Sequence, residues 1–160
     1  MKKCFFVTPI GEENSDIRKQ SDELLEQIQY CFLHNTIEFE IMRADLDPHN
    51  QQNIERIHSC IKNADLLIVD LSGNNPNVYY ELGYARALCK EVIQIRDKTT
   101  SNLPFDVSGY NTPTYDLSNN ETKEKFRNLL SETIKNIQFD KSVTHIGGGF
   151  TIEKVGSIDD

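Results

Sequence analysis

The sequence predicts an α/β protein whose parallel sheet is covered by helices on both faces. Three observations carry that expectation. Strand-length apolar runs alternate with segments of helical period along most of the chain. The run Leu66 to Val69 is unbroken and closes on Asp70, the pattern of a strand buried on both faces. The loop after it, Leu71 to Pro76, is rich in Ser, Gly and Asn, and its proline suits the first turn of a helix. Right-handed crossovers leave strand order 2-1-3-4-5 as the simplest topology, a flavodoxin-like three-layer sandwich with a five-stranded parallel sheet. In such a sheet ligands bind beyond the carboxyl ends of the strands, where the order reverses.

The first strand, Cys4 to Thr8, runs into Pro9-Ile10-Gly11. Ser15 or Asp16 is placed to cap the first helix, which carries Ile17, Leu24, Leu25, Ile28 and Phe32 on one face. The second strand, Ile37 to Met42, alternates apolar and charged residues as an edge strand does, and ends in Arg43-Ala44-Asp45. Asp47-Pro48 breaks the chain ahead of a helix carrying Ile54, Ile57 and Ile61. The third helix is expected from Asn77, with Val78, Leu82, Ala85 and Leu88 turned inward. A fourth strand lies within Glu91 to Arg96, and a long loop holding Pro104-Phe105-Asp106 follows. A fifth strand falls around Thr112 to Leu117, and the last helix carries Phe126, Leu129, Leu130, Ile134 and Ile137.

Residues 1–139 read as one domain and 140–160 as a separate tail. The tail places His145-Ile146-Gly147-Gly148-Gly149-Phe150 between two β-prone pieces, Ser142 to Ile146 and Phe150 to Val155. A glycine run in that setting does not form a phosphate cradle. It reads as a flexible extension or an added strand pair, with β-mediated self-association as the sharper alternative.

Charge narrows the function. Asp and Glu number 25 against 17 Lys and Arg, a net charge of −8, so neither nucleic acid nor an anionic membrane is an expected partner. A small anionic ligand held by a local arginine fits that balance. Cys4, Cys31, Cys60 and Cys89 fall singly, without a CxxC pair, and read as buried thiols of a reducing, cytoplasmic compartment. No HxxxH or mixed Cys/His cluster points to a metal. No apolar run approaches membrane-spanning length, and the amino-terminal run is too short for a signal peptide.

The chemistry-bearing residues converge on the predicted crevice. Asp70 stands at a strand end and Glu81 about one turn into the next helix, two carboxylates brought toward one site. Asp70 serves either as an acid/base and hydroxyl binder or as a cap of its own loop. Pro9, Ile10, Gly11 and Gly73 line the approach, with Gly11 allowing close passage of backbone. Arg18 pairs either with a phosphate or with Asp22 four residues on. Arg43 and Asp45 hold part of a ligand or neutralise each other. Asn77 caps the third helix or reaches a sugar, and Tyr80 or Tyr84 stacks on a base or packs in the core.

Phe6-Val7-Thr8-Pro9-Ile10-Gly11-Glu12, Arg43-Ala44-Asp45, Asp70-Leu71-Ser72-Gly73 and the run Asn75-Pro76-Asn77-Val78-Tyr79-Tyr80-Glu81-Leu82-Gly83-Tyr84-Ala85 resemble the nucleoside 2-deoxyribosyltransferase-like family. Pro104-Phe105-Asp106 and Tyr115-Asp116 continue the resemblance, which spans about residues 3 to 137. Proteins of this type are also similar to bacterial TIR-like domains, several of which serve in antiviral defence. The resemblance implies that Glu81 is the carboxylate at the centre of N-glycosidic bond cleavage, stabilising an oxocarbenium-like sugar or bonding to it. It implies a hydrolase acting on NAD or a related nucleotide or nucleoside, taken as substrate and not as cofactor, and working as a homo-oligomer. The chain end, Gly156-Ser157-Ile158-Asp159-Asp160, lacks the aromatic terminus by which the transferases complete a neighbouring pocket, which sets transfer behind hydrolysis. A non-catalytic nucleotide sensor is the alternative from another class.

Overall fold

The computed structural model describes residues 1–46 and 54–139, together with the backbone of 143–146 and 150–153. Its centre is a five-stranded parallel sheet of β1 (Lys2–Val7), β2 (Phe39–Arg43), β3 (Leu66–Asp70), β4 (Val92–Asp97) and β5 (Thr114–Tyr115). The strands lie in the order β2-β1-β3-β4-β5, as the crossover rule predicts. Helices α1 (Asp16–His34), α2 (Ile54–Asn63), α3 (Pro76–Ala87), the short α4 (Phe105–Ser108) and α5 (Asn120–Lys135) complete the domain. Two further strands, β6 (Val143–Ile146) and β7 (Phe150–Glu153), pair antiparallel as a separate sheet. This is the strand-pair form of the two tail readings. The expected break at Asp47-Pro48 and the glycines Gly147 to Gly149 lie outside the described residues.

Every residue of β3 is buried because the strand serves two cores at once. Leu66 and Ile68 join Leu24, Ile28, Phe126 and Leu130 beneath α1 and α5. Leu67 and Val69 join Ile61, Val78, Leu82 and Ala85 beneath α2 and α3. At about 1.5–3 kcal/mol for each large apolar side chain removed from water, this alternation dominates the energetics of the sheet. β2 lies at the edge, as its charged alternation predicts.

Helix starts follow local chemistry. Ser15 accepts from the Arg18 N–H and caps α1. Asn75, not Asn77, caps α3: its side chain accepts from the N–H groups of Asn77 and Val78, and Pro76 occupies the first turn, where a missing N–H is harmless. Beyond Ala87 the chain closes the helix with paired bonds, Cys89 N–H to Arg86 O and Lys90 N–H to Ala85 O. Cys89 holds the left-handed turn at φ 53° and is exposed, which corrects the expectation of four buried thiols; Cys60 is half-buried, while Cys4 and Cys31 are buried.

Several residues expected inward face solvent. Ile17 is 52% exposed because the first turn of α1 stands over the crevice rather than over the sheet. Leu129 flanks the inward Phe126, Leu130 and Ile134 stripe, Leu88 lies past the last turn of α3, and Ile54 is the first residue of α2.

Candidate active site

The carboxyl ends of β1, β3 and β4 open into a crevice of about 410 Å³. Pro9, Ile17, Gln20, Asp70, Ser72 and the 73–75 loop line one side, and Asp97 with the hydroxyls of Thr99, Thr100 and Ser101 lines the other. The loop is held down on that second side. The Gly73 N–H donates to Thr100 Oγ1 at 3.0 Å, and the Asn74 amide donates to Asn102 O at 3.0 Å. Gly73 takes φ +67°, a conformation only glycine adopts without strain. Gly11, at φ +62°, packs so closely on α1 that a Cβ there would stand 2.8 Å from Ser15 Oγ and 3.1 Å from Ile17. Its role is to let the loop close on the start of α1.

Asp70 follows Leu66 and Ile68 on the face toward α1 and α5, and is 1% exposed. Its carboxylate accepts from the Ser72 N–H at 3.1 Å, Ser72 Oγ at 2.5 Å, Tyr115 Oη at 3.0 Å and Thr8 Oγ1 at 3.3 Å. Burial pushes its pKa above the ordinary carboxylate range, and these four donors oppose the shift only in part. The loop-capping reading of Asp70 is met by the bond from the Ser72 N–H, and the same side chain lies on the crevice wall. Thr8, Ser72 and Tyr115 lie within the motifs of the resemblance but were not singled out as site residues, and Gln20 carries no sequence signal beyond its place near the start of α1.

Glu81 lies in the other layer. It sits on α3, three residues before Tyr84, and that spacing places it on the flank toward α2, where Tyr84 stacks on His58 at 4.0 Å. It is half-buried, and burial alone raises its pKa from 4.5 to about 7. No hydrogen bond or ion pair ties its carboxyl to another described residue. It is not among the described residues lining the crevice around Asp70, which stands at the end of β3, one short loop before α3.

The arginines are committed to one another's carboxylates. Arg43, 3% exposed, donates to Asp45 at 2.5 Å, to Asp22 at 2.6 Å and to Ser21 Oγ at 2.9 Å. Arg18 pairs with Asp45 at 3.3 Å, not with Asp22 as its i,i+4 spacing suggests. Beside this group lies a second cavity of about 300 Å³, also lined by Glu13, Asn14 and Lys19. Tyr80 is half-exposed, and its hydroxyl meets His58 Nε2 at 3.0 Å, so it packs α3 against α2 and does not line the crevice. Asn77 is exposed, as its displacement from the cap requires, and Ile10 is half-buried next to the lining Pro9. Among the described residues no cluster of His, Cys, Asp or Glu is placed to hold a metal, and no helix is long and apolar enough to cross a membrane.

Solved structures share this architecture. A 2-deoxyribosyltransferase from Bacillus psychrosaccharolyticus is 14% identical, aligns over 86% of this chain and 93% of its own, and superposes with a TM-score of 0.53. The likeness is one of fold. Two others superpose less well. A CMP N-glycosidase from Clostridium botulinum is 19% identical over 81% of this chain and 98% of its own, with a TM-score of 0.49. A 2-deoxyribosyltransferase from Leishmania mexicana is 20% identical over 62% and 67%, with a TM-score of 0.46. No protein-family model matches the sequence, and no curated protein matches it.

Proposed function

We propose that this chain cleaves the N-glycosidic bond of a nucleoside or nucleotide, with Glu81 as the carboxylate that meets the developing charge on the sugar and Asp70 as the acid/base near the departing base. The observation that carries the reading is the isolation of Glu81. A half-buried carboxyl with a pKa of about 7 and no structural partner among the described residues costs stability and returns none, a pattern that belongs to sites of chemistry. The fold shared with a 2-deoxyribosyltransferase supports it. So does the crevice, whose hydroxyl, amide and carboxylate groups suit the hydroxyls of a sugar.

Water as acceptor makes the reaction a hydrolysis. NAD is the substrate we test first, because the resemblance to TIR-like domains suggests it and would make the chain a defence effector. Its phosphates would have to reach Arg18 at the rim, since no lysine, arginine or histidine is among the described residues lining the crevice. Purified protein, dilute and concentrated, is incubated with NAD, NADP, CMP and deoxynucleosides, and the products are separated by chromatography. Release of free nicotinamide or base supports cleavage, and a rate rising faster than concentration supports activation by self-association. Silence toward the whole panel, with melting raised by one of its members, moves the assignment to a nucleotide sensor.

A further inference from the structure

Three side-chain groups meet in a closed triangle on the crevice wall. Ser72 Oγ lies 2.5 Å from Asp70 Oδ1, Tyr115 Oη lies 3.0 Å from Asp70 Oδ2, and the two hydroxyls are 3.0 Å apart. Each hydroxyl also receives a donor from outside the triangle. The Asp97 N–H donates to Ser72 Oγ at 2.8 Å, and Gln20 Nε2 donates to Tyr115 Oη at 2.8 Å. Each therefore has one proton of its own left to give.

Counting protons around the triangle shows two complete arrangements. With Asp70 ionised, both hydroxyl protons point to its carboxylate, and the edge between the hydroxyls holds none. With a third proton on Oδ1, Asp70 donates to Ser72, Ser72 donates to Tyr115, and Tyr115 donates to Oδ2, so every edge holds one. Both arrangements leave the three groups fully hydrogen-bonded, which buried polar groups require. Passing between them needs only the gain or loss of the proton on Oδ1 and the turning of the Ser72 hydroxyl hydrogen, since Tyr115 donates to Oδ2 in both. No fixed countercharge locks either state. Among the described residues, Thr8 just past β1, Ser72, and Tyr115 of β5 face Asp70, Gln20 of α1 stands behind Tyr115, and none is cationic. Among the described residues the other charged group lining the crevice is Asp97, whose Oδ1 is taken by the Thr99 N–H and hydroxyl.

We propose that Asp70, Ser72 and Tyr115 act as one proton-exchanging unit, with Tyr115 the positioning residue that lets Asp70 release and regain a proton toward a group bound in the crevice. Only the identity of that group rests on the glycosidic reading. There, for a nucleoside or nucleotide whose base would leave as an anion, the proton on Oδ1 passes to the departing base nitrogen: the O–H bond breaks, the N–H bond forms, and the pair from the sugar C1′–N bond leaves with the base, whereas the nicotinamide of NAD leaves neutral and takes no proton. The carboxylate left behind keeps both hydroxyl protons. Water adding to the sugar carbon loses the proton that restores the three-proton state.

The test is the titration of Asp70 itself, followed by carbon NMR of the side-chain carboxyl in aspartate-labelled full chain, with Asp70→Asn to assign the signal. The wild type should titrate above the ordinary aspartate range. Tyr115→Phe keeps the ring that packs on Phe126 but removes a donor to the charged form, so the midpoint should rise by a further unit or so, ~1 pH unit being what a charge-assisted hydrogen bond corresponds to. Ser72→Ala should move it in the same direction and carries the test should the first variant fold poorly. A wild-type midpoint near that of an exposed aspartate, or one unmoved in both variants, overturns the proposal. The titration needs no turnover, so a folded chain that cleaves no nucleoside counts against the glycosidic reading and leaves the outcome for the triangle to the NMR midpoint.

Discussion

Replacing Glu81 with glutamine should stabilise the chain in mild alkali and leave it unchanged in acid. The magnitude follows from the side chain's surroundings. Burial lifts its pKa from 4.5 to about 7, and at about 1.36 kcal/mol per unit this is ~3 kcal/mol against ionisation in the folded state. Between those two values the folded chain holds a proton that the unfolded chain has released, so stability falls as pH rises across the interval and stays reduced above it. Glutamine never ionises and is spared the loss. At pH 8, Glu81→Gln should gain about 2–3 kcal/mol, or ~4–12 °C in Tm for a chain of this size. At pH 4, where both side chains are neutral, the two proteins should melt together within about 0.5 kcal/mol. Denaturant melts at both pH values measure this directly. Equal stability at pH 8, or a less stable glutamine variant there, would mean that Glu81 is paired or solvated, and the argument from its isolation would fail.

Other positions separate more simply. Arg43→Ala leaves Asp45 and Asp22 without the guanidinium that joins them, and should cost about 3–5 kcal/mol by denaturant melting, against well under 1 kcal/mol for an exposed ion pair such as Lys125–Glu121. Asn75→Ala removes the cap of α3 and should cost ~1 kcal/mol, whereas Asn77→Ala should change stability by less than about 0.5 kcal/mol. Gly11→Ala meets both a positive φ and the crowding of Ser15 and Ile17, so it should lose more than ~1 kcal/mol; Gly73→Ala meets the φ alone and should lose less.

What the sequence discloses depends on the range of the interaction. β3 is readable because a strand buried on both faces must be apolar at every position, and β2 because an edge strand alternates. The order of the strands then follows from handedness. The cap of α3 was expected at Asn77, two residues late, because Pro76 was not used to place it: with proline in the first helical turn, the residue before it, Asn75, becomes the cap. The site was less legible because its contacts join distant parts of the chain. Arg18 finds Asp45, 27 residues away, in preference to the Asp22 on its own helix. Tyr115 reaches Asp70 across 45 residues, and Tyr80 turns to His58 across 22. Glu81 shows the opposite case. Its motif marks it in the sequence, while the burial that raises its pKa emerges only when α3 packs on the sheet.

Whether Glu81 carries out chemistry is decided by binding and turnover measured together on Glu81→Gln. The substrate identified in the wild-type panel is titrated into both proteins by calorimetry, and base release is followed in parallel. Affinity should stay within a few-fold of wild type while turnover falls by at least ~1,000-fold, since the carboxylate acts on charge that develops only in the transition state. Turnover retained within tenfold would contradict that role and remove Glu81 from the reaction.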